Sequence, residues 1–161
     1  MERMNPMIFT ELDQHQYDAF VRQHPCRNFL NAASAFEMKR ENGFRIAYVG
    51  VKDEDQIIAA TGIAFVPFKR IFTYAYCQRG YLLDYDNKEL LAFFHAKLVE
   101  YCKKKHVAYI TCDPYLTYRE RDINGTIVEG GYCRDHVMQT MKELGYLHQG
   151  FNTRFDSKTQ L

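Results

Sequence analysis

The apolar run MIFTEL gives way at Asp13 to apolar residues recurring at three- and four-residue steps, Tyr17, Phe20 and Val21. A short strand is predicted there, followed by a helix over DQHQYDAFVRQH with Asp13 as its N-cap and its end before Pro25. NFLNAASAFEMKREN reads as a second short helix. FRIAYVGVKD and QIIAATGIAFVPF are β-rich runs around the turn Asp53-Glu54-Asp55, and IFTYAYCQ follows Lys69-Arg70, so the middle of the chain predicts an antiparallel meander.

The stretch Tyr74–Tyr115, YAYCQRGYLLDYDNKELLAFFHAKLVEYCKKKHVAYITCDPY, predicts a strand, a turn, an amphipathic helix and a second strand. Asp86 and Glu89 have capping-box spacing and place the helix start near Asn87, an effect worth on the order of 1 kcal/mol. Leu90, Leu91, Phe94, Leu98, Tyr101 and Cys102 line one face, and Lys103 to Lys105 sit where the helix dipole favours cations. VAYITC closes on Asp113-Pro114, where proline removes a ladder donor. After it come a polar segment, TYRERDINGTIVEGG, with the turn signal Asn124-Gly125, a helix RDHVMQTMKELG closed by Gly145, and a last strand YLHQGFNTRF. The loop over residues 118–125 reads as solvated and is long enough for a lid. The order is β-α-α-β-β-β-α-β-α-β. Periodicity by itself gives a mixed α/β domain with a central sheet.

With 161 residues the chain suits a single domain over residues 7–161 behind an extension of residues 1–6. A formal net charge of +1 supplies no global field for nucleic acid, membrane or acidic substrates, so any anion must be held locally. Five scattered cysteines without a CxxC pair argue against a disulfide framework or a zinc site and for a reducing, cytoplasmic compartment. No apolar run approaches the roughly 18 residues of a membrane span. The histidines show no metal-ligand spacing, and no GxSxG or Cys/His pairing points to a nucleophile.

Arg79-Gly80 followed by LDYDNKELLAFF, a strand and DPY resembles the first domain of the FemABX aminoacyltransferases, which build peptidoglycan cross-bridges. The likeness runs collinearly from Met7 through FTELDQHQYDAF, NFLNAASAFEMK, the βαβ unit and LGYLHQGFNTRFD. Tyr81 stands where family members usually carry proline, and Phe36 supplies an aromatic they usually have. Family members are typically more than twice this length, with a second related domain, and this chain ends about where the crossing into that domain would begin. The resemblance implies a single GNAT-like (acyl-CoA N-acyltransferase-like) α/β domain with a mixed, mainly antiparallel sheet, an order the elements match. It also implies transfer of glycine, serine or alanine from aminoacyl-tRNA to the stem-peptide amine of a peptidoglycan precursor, UDP-MurNAc-pentapeptide or lipid II. This chain would be the precursor-binding half, in the cytoplasm or at the inner face of the membrane, with tRNA as donor substrate, no cofactor, and tRNA held through the second domain.

The resemblance also assigns residues. Lys39 matches the lysine that reaches the precursor diphosphate; read without the family, Lys39, Arg40 and Glu41 are a solvated helix end. A charge-assisted bond there is worth about 1.5–3 kcal/mol. Asp113 occupies the DP position at a strand end and is the candidate catalytic carboxylate, orienting or proton-accepting; an Asp before Pro also starts turns. Tyr115 completes the DPY match as a substrate-binding candidate. Arg79 is a bidentate anion ligand or a partner of Asp84 across the turn, and the pair is the favoured reading. Tyr74, Tyr76, Tyr81 and Tyr85 read as core and rim packing. Two other functions stay open: an acetyl-CoA-dependent N-acetyltransferase and a non-catalytic binding module. The first predicts a phosphate-cradling [QR]xxGx[GA] turn, and the one partial match, Arg40 to Gly43, fails at Arg45.

Overall fold

The computed structural model describes residues 6–68 and 71–150. The chain divides into two compact units, Met1–Pro114 and Tyr115–Leu161.

The first unit is a five-stranded sheet whose spatial order repeats its order in the chain, β1 (Ile8–Glu11), β2 (Arg45–Asp53), β3 (Gln56–Phe68), β4 (Phe72–Cys77) and β5 (Val107–Cys112). The first four are antiparallel; β5 runs parallel to β4 because a helix, α3 (Lys88–Lys104), carries the chain back between them. The meander and the βαβ unit are thus both present. Between β1 and β2 lie α1 (Gln14–Gln23) and α2 (Ala33–Glu41).

Local chemistry sets these boundaries. Asp13 caps α1 through a full capping box with Gln16. The second predicted helix is broken instead: Asn28 caps a single 3-10 turn, Phe29–Asn31, and Ala32 is extended before α2 begins. At α3 the cap is Asn87, whose side chain accepts the Leu90 amide at 3.0 Å, and the expected Asp86–Glu89 box gives way to it. Asp84 takes the Asp86 amide at 3.0 Å, which shifts the cap one residue along. The predicted last strand is not formed over Tyr146–Gly150, and its remainder from Phe151 lies outside the described residues, as do Lys69 and Arg70.

Both faces of the sheet are covered. Tyr48 on β2 joins Tyr17 and Phe36 of α1 and α2, the Tyr17 and Tyr48 rings stacking at 4.4 Å. Gly62 on β3 lets this cluster close, since a β-carbon there would lie 2.4 Å from the Phe36 ring. Val49 and Val51 alternate to the other face. Phe9 pairs in register with Val51 and meets Phe94 of α3 with ring centroids 6.0 Å apart, which puts α3 over that face.

In the second unit the polar segment is a pinned hairpin and not a loose loop. Arg119 pairs with Cys133 and Arg121 with Ile127, around a turn in which the Asp122 carboxylate accepts the amides of Asn124 and Thr126. Helix α4 (Asp135–Glu143) follows, with Asp135 bound by Arg119 and Tyr118, and Gly145 ends it at φ 93°.

Candidate functional site

The parallel register of β4 and β5 sets Cys77 opposite Cys112, so the residues just beyond each strand end, Gln78-Arg79-Gly80 and Asp113-Pro114, come together at the carboxyl edge of the sheet. Asp113 accepts the Arg79 backbone amide at 2.8 Å through Oδ1. Its Oδ2 accepts the Tyr76 hydroxyl at 3.3 Å and faces Arg79 Nη1 at 3.6 Å. Arg79 is therefore the partner of Asp113, and the favoured pairing with Asp84 is corrected. The cause is backbone: Arg79 (φ 59°) and Gly80 (φ 74°) are both left-handed, which folds the turn back onto β5. Gly80 approaches Pro114 so closely that a β-carbon would sit 2.5 Å from Pro114 Cα.

Arg79 is buried and Asp113 partly so, with side-chain exposures of 8% and 16%. Burial pushes the Asp113 carboxyl above its ordinary value, against the opposing pull of the Arg79 amide and guanidinium and the Tyr76 hydroxyl. Burial, then the neighbouring Asp113 charge, pushes the Tyr76 phenol well up, so it stays a protonated donor. The 3-10 turn is tied to the same edge: the Tyr17 hydroxyl donates to the Asn31 carbonyl at 2.8 Å, and the Asn31 amide donates to the Gln78 carbonyl at 3.0 Å.

Lys39, in the last turn of α2, places its ammonium 6.0 Å from the centroid of the Tyr76 ring. The structure thus gathers three of the four candidate residues, Lys39, Asp113 and Arg79, around a fourth side chain that sequence reasoning assigned to packing. Tyr74, two residues before Tyr76 on β4, stacks on Tyr109 at 5.0 Å and packs as expected. The signal that would have separated Tyr76 is its position two residues before the Gln78-Arg79-Gly80 turn, level with Thr111. Tyr115 opens the second unit and is exposed.

Other chemistry is limited. The five cysteines are free thiols. Burial pushes Cys102 to about 11, Cys112 to about 12 and Cys77 well above its ordinary value, so these three are not thiolate nucleophiles at neutral pH. Among the described residues there is no group of three metal-ligating side chains and no helix long and apolar enough to cross a membrane. A groove of about 1110 Å³ runs between α1, the 3-10 turn and α2, lined by Met38 and Glu37 on α2. A smaller cleft of about 370 Å³ gathers Arg40, Arg45 and Lys105, a basic grouping the linear sequence does not display. Two of its cations are already matched, Lys105 by Glu11 at 3.4 Å and Arg40 by Glu37 at 2.9 Å.

The fold is that of a GNAT-like α/β protein. A glucosamine-6-phosphate N-acetyltransferase from Arabidopsis thaliana superposes with a TM-score of 0.56 at 13% identity, over 94% of this chain and 100% of that one. The structure of FemX superposes with a TM-score of 0.71 at 24% identity, over 90% of this chain and 33% of that one. The FemAB family model matches residues 12–161. Aminoacyltransferase FemA from Staphylococcus aureus strains RF122 and MW2 is 35% identical over 156 residues, 96% of this chain. The chain belongs to the FemAB family. It spans 37% of the length of those FemA relatives.

Proposed function

We propose that this chain is the precursor-binding part of a FemAB-type aminoacyltransferase, which moves glycine, serine or alanine from aminoacyl-tRNA to the stem-peptide amine of a peptidoglycan precursor. The observation that carries this reading is the meeting of Lys39 and Asp113 at Tyr76. Both are among the residues the family resemblance singles out, and they come from separate elements to one sheet edge. The family model's match over residues 12–161 supports treating residues 7–161 as one domain. A charged tRNA is a cytoplasmic molecule, and we place the protein there, at the inner face of the membrane when the acceptor is lipid-linked.

In this reading Lys39 contacts the diphosphate directly, being half-buried with its ammonium over an aromatic face. Arg79 supports that edge from within, and Asp113 orients more than it accepts protons, since its carboxylate already accepts two hydrogen bonds and faces the Arg79 guanidinium. The chemistry asks mainly for positioning. An aminoacyl ester is activated already, while a lysine-type amine with an ordinary pKa of about 10.4 is mostly protonated at neutral pH, a deficit of about 4.6 kcal/mol that desolvation or a base must offset.

Calorimetric titration with UDP-MurNAc-pentapeptide tests the reading. Lys39→Ala is expected to weaken binding about tenfold or more, as loss of a charge-assisted bond does, while leaving stability within about 0.5 kcal/mol. Raising the salt concentration should weaken the wild type toward the variant. Equal affinity of variant and wild type across ionic strength would remove the diphosphate role from Lys39.

Acetyl-CoA is expected not to bind in the same calorimeter. Besides the missing cradle motif, the first free amides of α3 are partly spent on its own cap, with Leu90 N–H on Asn87. Micromolar binding of acetyl-CoA would reverse the ranking of the two enzyme classes.

A further inference from the structure

Lys39 and Asp113 meet each other only through Tyr76 among the described contacts. The ring lies 6.0 Å from the Lys39 ammonium, and the hydroxyl donates to Asp113 at 3.3 Å. The phenol cannot drift, because β4 holds Tyr76 in register between Ala64 of β3 and Thr111 of β5. The two acids of α2, Glu37 and Glu41, each lie two residues from Lys39, a spacing that turns side chains to different sides of a helix, and Glu37 is taken by Arg40 at 2.9 Å and by the Tyr48 hydroxyl at 2.9 Å. That leaves the Lys39 ammonium to the aromatic face.

A free lysine loses much of its rotamer freedom when it grips an anion, and a surface that already holds the ammonium removes part of that loss. A cation within about 6 Å of a ring face is attracted by the quadrupole. The hydroxyl's bond to Asp113 adds to this, because a phenol that donates to a carboxylate carries more electron density on its ring.

We propose that Tyr76 is a positioning residue: its ring face presents the Lys39 ammonium to an anionic ligand, and its hydroxyl, fixed by Asp113, sets the ring. The identity of the ligand rests on the precursor-binding reading above; the placement of Lys39 rests on geometry alone.

The test has two arms. Without ligand, the ring current of Tyr76 shifts the Lys39 ε-methylene protons upfield in a ¹H–¹³C spectrum. The shift is expected in the wild type and in Tyr76→Phe and absent in Tyr76→Leu. A Lys39 methylene at its random-coil position in the folded wild type overturns the proposal, and that measurement stands even where Tyr76→Leu fails to fold. With UDP-MurNAc-pentapeptide, Tyr76→Leu should weaken binding by the same factor as Lys39→Ala, on the order of tenfold, and the double variant no further. Tyr76→Phe, which keeps the ring, should lose less than about threefold. Fully additive losses in the double variant would mean that Tyr76 acts independently of Lys39 and would overturn the proposal. If the wild type binds no precursor while the Lys39 resonance behaves as expected, the precursor reading fails and the positioning of Lys39 by Tyr76 stands.

Discussion

Asp113→Ala is expected to destabilise the protein by about 3 kcal/mol, which lowers the melting temperature by roughly 6–12 °C for a domain of this size. The carboxylate is the acceptor of the Arg79 amide at 2.8 Å, the Tyr76 hydroxyl at 3.3 Å and the ion-pair partner of a guanidinium whose side chain is only 8% exposed. Removing it strips two hydrogen-bond donors of their acceptor and a buried guanidinium of its counter-charge at once, and breaking such a pair from one side costs far more than the pair contributes as a whole. Thermal unfolding followed by circular dichroism measures the effect. A melting temperature within 2 °C of wild type would show that Arg79 does not depend on Asp113, and the strand-end site would lose its organising contact. The size of the effect also governs how activity data are read: lost transfer in Asp113→Ala means loss of a proton acceptor only after the variant is shown to be folded at the assay temperature.

Gly80→Ala is expected to cost about 3 kcal/mol or more, and Gly125→Ala about 1 kcal/mol, although both glycines are left-handed at φ 74° and φ 81°. The difference lies in what a β-carbon meets. At Gly125 nothing lies within 4 Å, so only the conformational strain is felt. At Gly80 the new carbon would stand 2.5 Å from Pro114 Cα, a backbone atom that cannot turn aside, so either the turn or the chain just beyond β5 must shift. Urea unfolding of the two variants side by side reads the gap directly. Equal losses would mean that the Gly80–Pro114 approach relaxes without consequence.

The element order was legible because its carriers are local. Asp13 with Gln16 caps α1, a β-rich run ends on Asp113-Pro114, and a three- and four-residue apolar stripe makes α3. What was hidden depends on competition between neighbours or on distance. Asp84 and Asn87 outbid Asp86 for the start of α3, a choice settled by which side chain reaches which amide. Asn28 and an extended Ala32 split the second helix, although its composition is helical throughout. The segment from Arg119 to Cys133 looks like a solvated loop because its hairpin is stitched by Asp122 and two isolated bridges and not by an apolar face. The site was half legible. Lys39 and Asp113 stand out through the family and Arg79 through its own chemistry, but the assignment of Arg79 to Asp84 followed nearness in sequence, and the parallel register of β4 and β5 decided otherwise. Tyr76 had no signal in composition at all, being one of two tyrosines on the same strand.

The strands lie across the sheet in the order in which a ribosome makes them, β1 to β5. From β2 onward each new strand therefore finds one neighbour already synthesised. For the site this fixes a schedule of assembly. Lys39 and Tyr76 are laid down with the meander, the turn at Arg79 and Gly80 emerges next without its acceptor, and only when the chain has been extended to Asp113 does the edge acquire the carboxylate that draws the turn in. The strand-end edge is thus the last part of the sheet to be completed during translation, and a nascent chain halted between Tyr76 and Asp113 carries the lysine and the ring but lacks the carboxylate that accepts the ring's hydroxyl.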